Sequence, residues 1–108
     1  MVAVMTPEGK VKAKVKRALD KLLYQYRFMA VQNGMGAPAL DFFCCISGKF
    51  VAIETKVPGK GLTPRQEATK RDIEAACGLV CVIWDDASLA EEMARIKFHA
   101  YPVATHKR

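Results

Sequence analysis

No stretch of this chain is apolar for anything near the ~20 residues that a membrane span requires. No membrane partner is therefore expected. The opening residues, Met1-Val2-Ala3-Val4-Met5, have neither the basic start nor the long apolar run of a secretory signal, which points to the cytoplasm. The chain has 4 cysteines, and neither Cys44-Cys45 nor Cys77-x3-Cys81 has the Cys-x2-Cys spacing of a zinc pair. All four read as buried thiols in a reducing compartment. His99 and His106 have no patterned partner and read as surface residues. There is no Gly-x4-Gly-Lys phosphate loop. Gly34-x-Gly36-x-x-Ala39 leads into an apparent strand instead of a helix, so it lacks the helix N-terminus that would hold a pyrophosphate. No internal repeat or low-complexity segment interrupts the chain.

What is present is a globular composition. The 108 residues are 51% hydrophobic and 26% charged, which fits a single domain with a real core. At this length about two-thirds of the extended chain's surface is buried on folding, and pairing with a second copy would add to that. The 17 Lys and Arg against 11 Asp and Glu leave a net charge of +6. That balance favours a polyanionic partner, most often nucleic acid.

Local patterns predict the elements. Thr6-Pro7-Glu8 opens a helix over 7–22, with a cap, a first-turn proline and an acid complementing the dipole. Val11, Val15, Leu19 and Leu22 form its apolar stripe, and Lys10, Lys14, Arg17 and Lys21 lie opposite. Strands are expected over 24–31, 40–46 and 50–56, with a breaker cluster at 33–38 and a hairpin turn at Ser47-Gly48-Lys49. Thr63-Pro64-Arg65-Gln66 matches a capping box opening a helix that stops at Gly78. A buried strand follows over 79–84, and Ser88 caps a last helix to about Lys97. The core thus spans about 6–97, with a basic tail over 98–108.

Three acids sit where the pattern asks for apolar residues: Asp41, Glu54 and Glu8. An unpaired buried carboxylate is costly. Strand alternation puts Glu54 and Lys56 on one face. A turn centred on Gly48-Lys49 would set Asp41 opposite Lys56 and diagonal to Glu54. Glu8 falls on the buried stripe of its helix, and Gln66 lines up with Ile73 and Cys77 on the inner face of its own. Two carboxylates ~4 Å apart repel by about 4 kcal/mol at an effective dielectric of about 20. A divalent cation removes that cost, and all-oxygen ligation suits Mg²⁺ or Mn²⁺. Lys56 would then stabilise charge developing on a phosphate or help activate a water. Plainer readings stand beside these. Asp41, Glu54 and Lys56 could form a buried ion-pair network, and Glu8 could serve the helix dipole alone. Gln66 could be only a capping-box member, and the basic residues of the first helix an ordinary solvated face. Asp85-Asp86 reads as a loop and cap feature ahead of Ser88.

Pro38-Ala39-Leu40-Asp41, 12 further residues and then Glu54-Thr55-Lys56 resemble the PD-(D/E)XK nuclease signature. With the Asn33-Gly34-Met35-Gly36 loop, Ile53-Glu54-Thr55-Lys56 and the Gln66 helix, the chain resembles more narrowly the VRR-NUC group, the virus-type replication-repair nucleases, from about Thr6 to Ala94. One departure is that Pro38 stands three residues before Asp41 where the family has its proline directly before the acid. The resemblance implies an α/β, restriction-endonuclease-like core of order αβββαβ, here with an extra C-terminal helix. It implies Mg²⁺ or Mn²⁺ held by Asp41, Glu54 and the backbone carbonyl of Thr55. Lys56 would position or activate the attacking water, Gln66 would orient Lys56 or the scissile phosphate, and Glu8 would add an acidic contact. The expected activity is metal-dependent, structure-selective cleavage of DNA, with branched DNA such as Holliday junctions as substrate, by a free-standing homodimer of phage or bacterial type. Lys10, Lys14, Arg17, Lys21, Lys60 and Arg65 would contact the DNA backbone without reading sequence. A non-catalytic nucleic-acid binding module shares the charge but does not need the three site residues together.

Overall fold

The structure, a computed structural model, describes residues 5–30 and 40–102. The expected loop at 33–38, the end of the first strand at Val31, and His106 with the tail from 103 lie outside the described residues. Among the described residues the chain is a small α/β domain of three helices and a four-stranded mixed sheet. The elements run α1 (Pro7–Asp20), β1 (Gln25–Met29), β2 (Phe42–Ile46), β3 (Lys49–Thr55), α2 (Pro64–Ala75), β4 (Leu79–Ile83) and α3 (Asp86–Ala100).

Capping residues set the helix starts. The Thr6 hydroxyl accepts the Gly9 N–H at 3.0 Å, and Pro7 needs no partner for a missing donor. Thr63 and Gln66 close a capping box on α2. The cap of α3 is Asp85 and not Ser88: the Asp85 carboxylate accepts the Ser88 N–H at 2.8 Å, and the Ser88 hydroxyl accepts the Asp85 N–H at 3.0 Å. Ser88 is thus the third residue of a helix that begins at Asp86 and runs past Lys97 to Ala100. The first part of the expected tail is helical, and His99, expected at the surface, is half-buried. Helix α2 ends at Ala75, ahead of Gly78, and its left-handed residue is Cys77, with φ 71°. Gly78 is required for space: a Cβ there would lie 2.7 Å from Ile73 Cγ2 and 3.1 Å from Phe50 Cδ2.

The strands lie in the order β1-β2-β3-β4. The first three are antiparallel, and β4 runs parallel to β3 after the α2 crossover. Ser47 and Gly48 both have positive φ, 50° and 81°, the backbone of a tight two-residue hairpin turn whose twist matches the strands. The turn therefore centres on Ser47-Gly48, one residue earlier than expected. Ile46 pairs with Lys49 and Phe42 with Ile53. Continuing that register by one residue sets Asp41 across from Glu54, not from Lys56. A shift of two in partner keeps every side chain on its face, so the site survives the correction.

Alternation along the strands divides two layers. Phe42, Cys44, Ile46, Val51, Ile53 and Ile83 face α1 and α3, packing on Val15, Leu19 and Ile96. Leu40, Ala52 and Val80 face α2 through Ile73. Each fully buried large aliphatic or aromatic side chain is worth about 1.5–3 kcal/mol in area removed from water. Two cysteines depart from expectation: Cys44 and Cys81 are buried in this core, whereas Cys45 and Cys77 are exposed. Burial pushes the Cys44 thiol up to about 11, countered in part by Arg27, so it is an inert core residue. Among the described residues no helix is long and apolar enough to cross a membrane.

Candidate active site

The C-terminal ends of the parallel strands β3 and β4 lie together. The Lys56 N–H donates to Ile83 O at 3.0 Å, which pins the residue after β3 to the end of β4. The N-terminus of α2 returns to this end, and the Trp84 indole N–H holds the intervening loop by donating to Lys60 O at 2.6 Å. The beginning of β2 brings Asp41 to the same end of the sheet.

Glu54 is the centre of the cluster and is only 3% exposed. Its Oε1 accepts the Asp41 N–H at 3.0 Å. Its Oε2 accepts Gln66 Nε2 at 3.1 Å and lies 3.3 Å from Lys56 Nζ. Asp41 uses Oδ2 to accept the Thr55 N–H at 2.9 Å and also the Thr55 hydroxyl. Its Oδ1 faces Lys12 Nζ at 3.7 Å, and Lys12 lies 3.9 Å from Glu8 Oε2.

Gln66 fills its expected capping-box role and, with its other amide atom, meets Glu54, a partner the sequence did not indicate. Its Oε1 accepts the Thr63 N–H at 3.1 Å, closing the capping box, which leaves Nε2 to donate to Glu54. The cap therefore fixes the amide's orientation, and the amide steadies Glu54.

Burial raises the Glu54 carboxyl above its ordinary value of 4.5, and the neighbouring Asp41 charge raises it further. Lys56, by charge and hydrogen bond, and Gln66 oppose the rise without cancelling it. The consequence for stability has a definite sign. A group that holds its proton more tightly when folded makes the folded state lose stability as pH climbs from the unfolded value to the raised one. The substitution Glu54→Gln removes that loss. Its melting temperature, relative to the parent protein's, should therefore move in the variant's favour from about pH 4 to about pH 7. Thermal unfolding at the two pH values checks this, and a flat or reversed difference contradicts it.

Of the residues singled out in the sequence, Asp41, Glu54, Thr55, Lys56 and Gln66 form one network. Glu8 meets it through Lys12 and is itself 44% exposed. Lys10, Lys14 and Arg17 lie exposed along α1 and Lys21 at its C-terminal cap, and Lys14 is paired with Asp86 at 2.8 Å. Lys60 and Arg65 are exposed near the start of α2. Lys12 was missed by the sequence pattern. Its signal was its place four residues after Glu8, at the edge of the buried stripe. Among the described residues no group of three or more His, Cys, Asp or Glu side chains converges on a shared metal position; Asp41 and Glu54 are a pair. Compared with family models, curated proteins and solved structures, the chain matches none.

Proposed function

We propose that this protein is a metal-dependent DNA endonuclease of the PD-(D/E)XK type, hydrolysing phosphodiester bonds in branched DNA such as Holliday junctions. The observation that carries the reading is the joining of Asp41, Glu54 and Lys56 at one end of the two central strands, with Gln66 locked onto Glu54. The run of elements, α-β-β-β-α-β and then a last helix, supports it.

The residues present fit a divalent cation. Asp41, Glu54 and the Thr55 carbonyl offer hard oxygen donors, and Mg²⁺ is commonly held by one or two carboxylates with water and substrate phosphate completing its shell. The ammonium of Lys12 between Glu8 and Asp41 marks a place where positive charge is favoured. When bound, the ion supplies Lewis-acid polarisation of the scissile phosphate and a lowered water pKa.

The chain's own residues do the rest. Gln66 and the Asp41 N–H hold the Glu54 carboxylate in one orientation. The Thr55 N–H and hydroxyl do the same for Asp41. Lys56, beside Glu54, stabilises the extra negative charge of the transition state and positions the attacking water. Lys10, Lys14, Arg17, Lys21, Lys60 and Arg65 contact the phosphate backbone, which positions DNA without reading bases. Two copies related by a two-fold axis would present two such sites to two strands in the cytoplasm.

A second reading has its own support. Glu54's two oxygens and Asp41's Oδ2 are engaged by protein donors, as in a self-sufficient ion-pair network on a non-catalytic nucleic-acid binding module. A panel of four-way, three-way, flap and linear duplex DNA, with Mg²⁺ or Mn²⁺ and with EDTA, separates the two. The nuclease cuts branched substrates faster than linear duplex and stops in EDTA or as Glu54→Ala. Cleavage by Glu54→Ala at the parent's rate overturns the assignment. Binding that persists in EDTA, with no cleavage in either metal, establishes the binding module.

A further inference from the structure

The basic residues of α1 and its C-terminal cap divide into two kinds. Lys10, Lys14, Lys16, Arg17 and Lys21 are exposed, and Lys14 is tied to Asp86. Lys12 differs from all of them. It sits at the margin of the buried stripe, its side chain is 30% exposed, and its ammonium lies between two carboxylates from different parts of the chain.

We propose that Lys12 is a tethered counter-ion of the acidic site, which a divalent cation must displace when it takes Asp41 as a ligand. This rests on reading Asp41 and Glu54 as the metal-holding pair. Three observations lead to it. First, both contacts of Lys12, at 3.7 and 3.9 Å, are longer than hydrogen bonds, so the ammonium is attracted without being locked. Asp41 Oδ2, by contrast, is fixed by Thr55. The loosely held oxygen is the one that Lys12 covers. Second, the local charge is set by Glu8, Asp41 and Glu54 against Lys12 and Lys56. When Lys12 swings out, the acids outnumber the remaining cation by two, which matches a divalent ion. Third, a flexible lysine stem lets the charge move while the helix stays in place.

The role is one of specificity. Lys12 keeps the carboxylates compensated while no metal is bound and sets how strongly a cation must compete. It touches no substrate in this scheme; it acts through Asp41 and Glu8.

Mn²⁺ binding to the full chain, measured by titration calorimetry and by the loss of the free-ion electron paramagnetic resonance signal, tests this without any turnover. A unit charge close to a partly exposed divalent site, in a dielectric near that of water, changes affinity by about tenfold. Lys12→Met and Lys12→Gln should therefore bind Mn²⁺ about tenfold more tightly than the parent. Lys12→Arg should match the parent, and so should Lys16→Met, which removes the same charge from an exposed position on the same helix. Unchanged or weaker binding by both neutral variants, where the parent binds and Glu54→Ala does not, overturns the counter-ion role and leaves the metal site standing. Equal tightening by Lys16→Met also overturns it, because the effect would then belong to net charge. Absence of Mn²⁺ binding in the parent and in every Lys12 variant overturns both this inference and the metal reading beneath it.

Discussion

Lys56→Met is expected to slow metal-dependent cleavage of branched DNA by about 10²–10⁴-fold, the range for losing a positioned charge or proton-transfer group. The substitution is chosen to leave the fold in place. Methionine replaces the apolar stem of lysine and omits only the terminal ammonium, and the backbone at this position is held by the Lys56 N–H on Ile83 O at 3.0 Å. What is lost is the ammonium 3.3 Å from Glu54 Oε2. That loss has two routes to the rate, and they can be told apart. Lys56 lowers the Glu54 carboxyl against the rise caused by burial, so its removal pushes Glu54 up further. If Lys56 acted only by keeping Glu54 ionised, raising the pH would restore the rate of the methionine variant. If it also stabilises charge on the reacting phosphate, the deficit persists on the alkaline plateau. The second outcome is expected. A variant that cuts as fast as the parent at neutral pH contradicts both routes. Glu54→Ala, which removes the acceptor shared by Asp41, Gln66 and Lys56, should leave no measurable cleavage at any pH.

The parts of this fold that can be read from sequence are those whose causes are local. Thr6-Pro7 and Thr63-Pro64 carry their own helix starts, because a side-chain oxygen three residues from the donor it must satisfy is a contact within one turn. Strand alternation put Glu54 and Lys56 on one face, and that face is where they meet. The misreadings share a physical origin: two nearby residues competed for one role, and the choice was made by packing. Asp85 and Ser88 are both good caps, and each bonds the other's backbone; the helix starts after Asp85. Gly48 suited a turn with either neighbour, and Ser47 accepted a positive φ of 50°, which moved the partner of Asp41 from Lys56 to Glu54. Cys77, not Gly78, took the left-handed position, because Gly78 is needed where Phe50 and Ile73 approach. Lys12 was hidden for a different reason. Its pairing with Asp41 joins α1 to the start of β2 across the sheet's end, and helix periodicity carries no record of what lies opposite a residue in space. Gln66 shows the reverse case, where a local motif and a tertiary contact use different atoms of one side chain.

Phe42→Ala is expected to cost about 3–5 kcal/mol of unfolding free energy, a large part of the about 5–15 kcal/mol that holds a domain together. Phe42 is completely buried. It lies in the cluster with Val15, Leu19, Ile53 and Ile83, and it pairs with Met29 on one side and Ile53 on the other. Truncating it empties the space where α1 meets the middle of the sheet, and the surrounding strands are too constrained by their hydrogen bonds to close it. The neighbouring residue supplies the control. Phe43 points to the opposite face, half-buried, with its ring centroid 5.7 Å from Phe28 and 5.8 Å from Phe50. Such ring pairs add about 0.5–1.5 kcal/mol beyond area burial, and solvent already reaches part of Phe43, so Phe43→Ala should cost well under half as much. Urea unfolding of the two variants measures the difference. Equal costs would mean that the two faces of β2 are buried alike, and the division of the sheet into a deep α1–α3 side and a shallow α2 side would be wrong. The same comparison bears on the site, because Phe42 and Ile53 are the cross-strand pair next to Asp41 and Glu54 along β2 and β3. A cavity at Phe42 loosens the strand ends that hold the two carboxylates. Phe42→Ala should therefore weaken Mn²⁺ binding even at temperatures where the variant is still folded, whereas Phe43→Ala should leave it near the parent's.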